Sequence, residues 1–384
     1  MTSFEDMERT AREAIARISS SPLLFDADFE NGSLDRVVRL GMDWYHIILR
    51  QDTWYRFFFR IKGCRDREVI FEFTCRNINN SNYDEGKGRW IKSGDIVKPL
   101  FSYDRKRWQP VDHIEKHFQD PGKYRFSHRF TEDEAYVSYH HPYTYSDMLD
   151  WLKLFKNEPR VTIGTLGTTR NGFPQPVLSI TDAPSAGDMV VLIAREDADE
   201  ITGSWGIEGV VRALLAPESR DLLKRYTFKI VPMVGIDGVV AGAHHSAGYG
   251  YGGKHWHCTP APREIENVKN GIRQWVAQGY RLKLAGKLHG QQCFTKDTGY
   301  DGILTSSPVL REAIKKGVAQ YSNGLWMPAG PDLAIRPKGY FERFLLDEFG
   351  LYETFGTHIH GDTPENARRG GEGLMHGIIT WLRS

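Results

Sequence analysis

Met189–Ala194 (MVVLIA) is an uninterrupted apolar run. A run that short and that uniformly apolar fits a strand covered on both faces, which belongs in a parallel or mixed sheet clad by helices. The chain then changes character at once, to Arg195-Glu196-Asp197-Ala198-Asp199-Glu200. In open α/β sheets ligands collect beyond the carboxyl ends of the strands, so this juncture is a natural place for chemistry. Asp197 and Glu200 are three apart, a spacing that lets two carboxylates in a turn converge on one cation. The alternative is a solvated loop whose acids favour the helix start after it.

The surrounding texture supports such a sheet. Val161–Gly164 and Gln175–Thr181 flank Asn171-Gly172, which predicts a hairpin. Tyr226–Val231 and Leu282–Leu288 read as strands. Trp205–Leu215, Ile265–Ala277 and Leu310–Gln320 carry helical periodicity. Strands alternating with helices predict an α/β fold with helices on both faces. Upstream the pattern differs. Residues 7–18 predict a short amphipathic helix. Trp54–Lys62 and Glu68–Arg76 are aromatic and β-branched runs around a Gly-Cys-Arg-Asp connection, which is a hairpin signal. Lys123–Phe130 and Ala135–His140 add short strands, and together these predict an antiparallel β-sandwich. The textures meet at His141-Pro142-Tyr143-Thr144-Tyr145-Ser146-Asp147, where Ser146 is the expected cap of a helix over Asp147–Phe155. The chain therefore divides into a β-sandwich over residues 1–140 and an α/β domain over residues 141–384, in keeping with its 384 residues.

Composition excludes several classes. Fifty basic and 49 acidic side chains leave a formal charge of +1, too little to draw the protein to nucleic acid or an anionic membrane. No apolar run approaches the ~20 residues of a membrane helix. Acidic residues fall early in Met1–Arg9, which does not read as a secretory signal. Four cysteines without a CxxC pair fit reduced thiols in a cytoplasmic protein, with Cys64 and Cys75 expected on neighbouring strands.

Three further segments carry polar residues that packing does not explain. His289-Gly290-Gln291-Gln292 comes directly after a strand and brings an imidazole beside a glycine. Leu351–Gly356 sets Glu353 in an apolar and aromatic stretch. Such surroundings push a carboxyl group upward and suit a general base or acid, unless the residue faces water on an edge strand. Gly242–Cys258 is rich in glycine, histidine and aromatics. His244, His245, Lys254, His255 and His257 are its candidates, a zinc site within the loop included.

Over most of its length the sequence resembles the cytosolic carboxypeptidases, M14-type zinc peptidases with an N-terminal β-sandwich. Pro142-Tyr143-Thr144-Tyr145-Ser146-Asp147 is similar to that family's Pro-Tyr-Thr-Tyr-Ser-Asp motif. Ala194–Glu200 with Ser204-Trp205 resembles Ala-Arg-x-His-Pro-Gly-Glu…Ser-Trp. Ile230–Met233 with Asp237-Gly238-Val239 resembles Val-Pro-Met-x-Asn-Pro-Asp-Gly-Val, and His289-Gly290 resembles the His-Gly that holds the last zinc ligand. The resemblance implies a metal site of Asp197, Glu200 and His289, with Asp197 standing where the family has histidine. The added negative charge weakens Lewis acidity and makes Mn²⁺ or Fe²⁺ more competitive, with zinc still first. The resemblance also implies Glu353 as the glutamate that moves the proton of an attacking water, and His245 in place of the family's carbonyl-polarising arginine. Lys254 and His255 replace its carboxylate clamp, and Gln291 replaces its second histidine. Lysine draws a carboxylate without forking onto it as arginine does. The function so implied is an amide hydrolase of carboxypeptidase or deacylase type, acting on a small or peptide-like substrate. The alternative is an inactive binding or scaffold relative.

Overall fold

The protein is described by a computed structural model covering residues 3–18, 22–49, 56–74, 98–115, 123–243, 255–290, 305, 307–321, 338–359 and 363–384. The chain forms two compact units, one ending at His140 and the other running from His141 to Ser384.

The first unit opens with α1 (Phe4–Ile18). Two five-stranded sheets come next, built from β1 (Leu24–Asp26), β2 (Arg36–Arg39), β3 (Trp44–Ile48), β4 (Phe58–Lys62), β5 (Glu68–Thr74), β6 (Leu100–Ser102), β7 (Gln109–Pro110), β8 (His113–Glu115), β9 (Lys123–Arg129) and β10 (Glu134–Ser138). One sheet runs β1-β4-β10-β6-β7 and the other β2-β3-β5-β9-β8. All their pairings are antiparallel except β3 with β5. Aromatic rings fill the space between them. Phe57 stacks on Phe73 at 4.6 Å, and Phe71 on Phe126 at 4.8 Å. Offset ring pairs of this kind add to the stabilisation that burial alone provides.

One expectation fails here. β4 and β5 do not form a hairpin, because they lie in different sheets. The Gly-Cys-Arg-Asp connection is a corner. Gly63 and Cys64 donate their backbone N–H groups to the Asp133 carbonyl, and Asp66 donates to Phe130. The buried Cys64 therefore sits in the corner rather than on a strand, its thiol 3.3 Å from the Glu132 and Asp133 carbonyls. Both runs are apolar because each faces the interior from its own sheet, and sequence pattern does not separate that arrangement from a hairpin. Cys75 lies outside the described residues.

The second unit begins with α2 (Tyr145–Lys153). Its cap is Thr144 rather than Ser146: the Thr144 hydroxyl accepts from the Asp147 N–H, and the Asp147 carboxylate accepts from the Thr144 N–H. This reciprocal pair satisfies two donors that a helix start leaves open. The hairpin of β11 (Val161–Thr168) and β12 (Pro174–Ile180) forms as the sequence predicts. Beyond it come β13 (Asp188–Ala194), α3 (Ile201–Leu215), α4 (Arg220–Leu223), β14 (Tyr226–Val231), α5 (Ile236–Val240), α6 (Arg263–Ala277), β15 (Arg281–Gly290), α7 (Pro308–Tyr321), α8 (Phe341–Phe349), β16 (Thr354–Ile359) and α9 (Pro364–Arg383).

The sheet order is β11-β12-β14-β13-β15-β16, with the last four strands parallel. Alternate residues of β13 serve opposite faces. Val190, Leu192 and Ala194 pack with α3, α7 and α9, whereas Met189, Val191 and Ile193 pack with α6 and α8. A strand buried on both sides accounts for its wholly apolar sequence. The carboxyl ends of β13, β15 and β16 thus lie side by side.

Candidate metal centre

Arg195 is the first residue beyond β13. Its backbone is left-handed (φ 54°) and its side chain is fully buried. The guanidinium ties its loop to the helix that follows, donating to the Ala198 carbonyl at 2.8 Å and to the Ser204 hydroxyl of α3 at 3.1 Å. The Glu200 N–H closes on the Asp197 carbonyl at 3.2 Å, and α3 starts at the next residue. Glu200 is thereby delivered to the end of β15. The approach is close: a Cβ on Gly290 would lie 2.6 Å from the Gly203 nitrogen. Only glycine lets helix and strand meet there.

At this end of the sheet three side chains converge. Glu200, His289 and His358 each offer a ligand atom, and these atoms all lie within 4.8 Å of one another. Glu200 Oε2 is 2.7 Å from His289 Nδ1, and Glu200 Oε1 is 3.9 Å from His358 Nε2. The two imidazoles stack with centroids 4.8 Å apart, as the cross-strand pair His289↔His358 requires. All three are largely buried, at 12–14% side-chain exposure. Burial first, and the neighbouring Asp199 next, hold the Glu200 carboxyl well above the usual carboxylate range, with Lys287 pulling the other way.

The residues singled out in the sequence fare differently. Glu200 and His289 come together. Asp197 is buried in the same loop but is not part of the cluster. His358, in the strand just after Glu353, takes the third place, which the motifs of the sequence did not indicate. The signal that could have found it is a histidine at the carboxyl end of a β-type segment, opposite another histidine once the strands are set in parallel register. Glu353 does not reach the cluster. It precedes β16, and its carbonyl accepts from the Ala285 N–H. Ala285 lies four strand residues before His289, about 13 Å along the sheet. A residue before a parallel strand sits at the end away from the carboxyl termini, which is why a local sequence pattern misplaced it.

His255 lies in a turn with its Nδ1 3.6 Å from Cys258 Sγ. The adjoining Trp256 is fully buried and donates its indole N–H to Glu196, so this end of the Gly242–Cys258 loop is anchored. His244, His245, Lys254 and Gln291 lie outside the described residues.

One carboxylate and two imidazoles within mutual reach form a donor set suited to a divalent ion such as Zn²⁺. This set sits at the parallel carboxyl ends of an α/β sheet, where such folds gather their ligands. Comparison with known proteins is more specific. The zinc carboxypeptidase model of the M14 family matches residues 148–292, and a cytosolic carboxypeptidase N-terminal domain model matches residues 25–140. The chain belongs to the M14 zinc carboxypeptidases, in the branch that carries the cytosolic-type N-terminal domain. Human cytosolic carboxypeptidase 1 is 27% identical, the match covering 68% of this chain and 25% of the human protein. Cytosolic carboxypeptidase 2 of Danio rerio is 28% identical over 57% of this chain and 34% of its own length. The chain thus spans about a quarter to a third of these relatives. Among solved structures, a metallo-carboxypeptidase from Burkholderia cenocepacia superposes with a TM-score of 0.75 at 20% identity, covering 94% of this chain and 99% of that one. One from Pseudomonas aeruginosa, in complex with (2-guanidinoethylmercapto)succinic acid, gives 0.71 at 18% identity, with the same coverage. Both share the fold. Among the described residues no helix is long and apolar enough to cross a membrane.

Proposed function

We propose that the chain is a metal-dependent amide hydrolase of carboxypeptidase or deacylase type, acting in the cytoplasm on a small or peptide-like amide. Its divalent ion, zinc first and Mn²⁺ or Fe²⁺ as alternatives, is held by Glu200, His289 and His358. The observation that carries this reading is the convergence of those three side chains at the carboxyl ends of β15 and β16. The ion supplies Lewis acidity and lowers the pKa of water at the site.

The chain's own groups divide the remaining work. Glu200 brings the negative charge. His289 and His358 are held face to face by strand register, so little reorganisation is needed to receive a cation. The proton acceptor is a carboxylate of the Asp197–Glu200 turn. Asp199 is favoured because its charge already acts on Glu200, whereas Glu353 lies at the far end of the strand. Asp197 remains a candidate ligand or acceptor from the same loop. His245, Lys254, His255 and Gln291 are assigned to substrate contact on the family resemblance.

The position of Glu353 favours a second reading, a relative that binds metal or peptide without turnover. One experiment separates the two. Protein reconstituted with Zn²⁺, Mn²⁺ or Fe²⁺ is assayed on C-terminal peptide and N-acyl amino acid panels, with and without chelator. Chelator-sensitive release of product that is lost in His358→Ala supports the enzyme. A stoichiometric ion with no turnover on any panel supports the binding protein.

A further inference from the structure

In the first unit four aromatic rings gather on the face of the β1-β4-β10-β6-β7 sheet turned away from the aromatic interior. Phe59 and Ile61 of β4, with Ala135 and Val137 of β10, are wholly buried. By strand alternation Phe58 and Tyr136 belong to the opposite face. They are diagonal neighbours across the two strands, with ring centroids 6.4 Å apart. Phe29 stands edge-on to both, 4.9 Å from Phe58 and 5.8 Å from Tyr136, and Trp108 meets Phe58 at 5.6 Å. Phe58 is buried, whereas Phe29, Trp108 and Tyr136 are half-buried.

The Arg105 guanidinium lies over three of these rings. Its central carbon is 5.1 Å from the Phe29 centroid and 5.5 Å from those of Phe58 and Tyr136. Arg105 itself is exposed, at a left-handed position of a turn (φ 61°). The turn is fastened without its side chain. Asp104 accepts from the Lys106 and Arg107 backbone N–H groups and from the Arg107 guanidinium, and Trp108 donates its indole N–H to the Arg105 carbonyl. Among the described residues the Arg105 guanidinium has no hydrogen bond or ion pair. The carboxylates of Asp26 and Glu134 pair instead with Arg60 and Lys62.

Aromatic faces carry negative charge density and attract a cation. Here that attraction alone holds a guanidinium whose five donors are left to solvent. Swinging it away gives up only the ring contacts and leaves the turn closed. We propose that Phe29, Phe58 and Tyr136, flanked by Trp108, form a recognition site for a guanidinium-bearing ligand, and that Arg105 is the resident stand-in which such a ligand displaces. The inference does not depend on the hydrolase reading.

The test is calorimetric titration of the full chain with N-acetylarginine amide, for the wild type, for Arg105→Ala, and for Arg105→Ala combined with Phe29→Leu or Tyr136→Leu. Removing the stand-in should tighten binding about two- to thirtyfold. Either leucine keeps apolar bulk and removes a ring face, so it should reverse that gain. N-acetylcitrulline amide, which has the shape without the charge, should not bind Arg105→Ala. Two leucine variants guard against one failing to fold, and circular dichroism identifies the folded one. Free arginine bound as well as the capped form makes the ligand a small molecule; preference for the capped form makes it an arginine within a peptide. Equal affinity in the wild type and Arg105→Ala overturns the inference, as does absence of binding to Arg105→Ala. Binding that survives in a folded leucine variant also overturns it, because the guanidinium would then be held elsewhere on the chain.

Discussion

The aromatic interior of the β-sandwich and the carboxyl edge of the parallel sheet solve opposite problems. In the sandwich, Phe57, Phe59, Phe71, Phe73 and Phe126 are each at most 1% exposed and meet mainly one another. Shape decides, and losing a ring leaves a void. At the sheet edge the interior holds Glu196, Lys287 and Glu342, with Glu200 and two histidines just beyond. Charge decides there, and losing one group leaves the others uncompensated. One region is built to be stable. The other holds charged groups in its interior that depend on their specific partners.

That contrast can be broken at several points. The largest effect is expected from His289→Ala, which should abolish stoichiometric metal binding and lower any hydrolysis at least a hundredfold while the fold persists. Metal analysis alongside circular dichroism checks it. Phe126→Ala should do the reverse, destabilising the sandwich by about 3–5 kcal/mol with metal affinity unchanged, as read by denaturant unfolding and ion titration. Gly290→Ala should affect both properties moderately. Its methyl group pushes α3 from β15 and carries Glu200 with it. Overpacking of this kind costs about 1–3 kcal/mol, and metal affinity should fall roughly in step with the displaced carboxylate.

The two regions should also differ in pH response. Burial lowers the His128 pKa below 6.5 despite the Asp112 carboxylate 2.8 Å away, which pulls the other way. Its depressed folded pKa means that its stabilisation is present above 6.5 and lost as the pH falls. Glu208 in the second unit is raised above 4.5, by burial first, against the pull of Arg368. Its contribution is full below 4.5 and lost as the pH rises through the folded value. Hydrogen exchange followed unit by unit should show the sandwich loosening toward acid and the surroundings of Glu208 loosening away from it. The smallest effect is expected from Glu353→Gln, which should leave ion affinity and ligand geometry untouched. A large loss of affinity there would redraw the centre.

Much of this was legible in the chain. MVVLIA announced a strand with two buried faces, and the acids after it marked the loop that delivers Glu200. The parts that were not legible are those set by strand register. Whether Glu353 or His358 reaches His289 depends on which residue of β16 lies opposite it, and no local pattern records that. The β4–β5 corner failed for a related reason: two inward-facing strands read alike whether they share a sheet or oppose each other across one. Thr144, rather than Ser146, caps α2 because the Asp147 carboxylate returns the bond, a partnership visible three residues on.

Arg195 has a wider consequence. Its left-handed backbone costs about 1–2 kcal/mol, offset by a guanidinium bonded to the Ala198 carbonyl of its loop and to Ser204 of α3. The loop that carries Glu200 is thus braced by protein alone. An incoming ion would find its berth already shaped and would give up none of its binding energy to ordering the chain. Stripping the ion with a chelator should then switch chemistry off and leave the architecture standing, so that capture and release could cycle without unfolding.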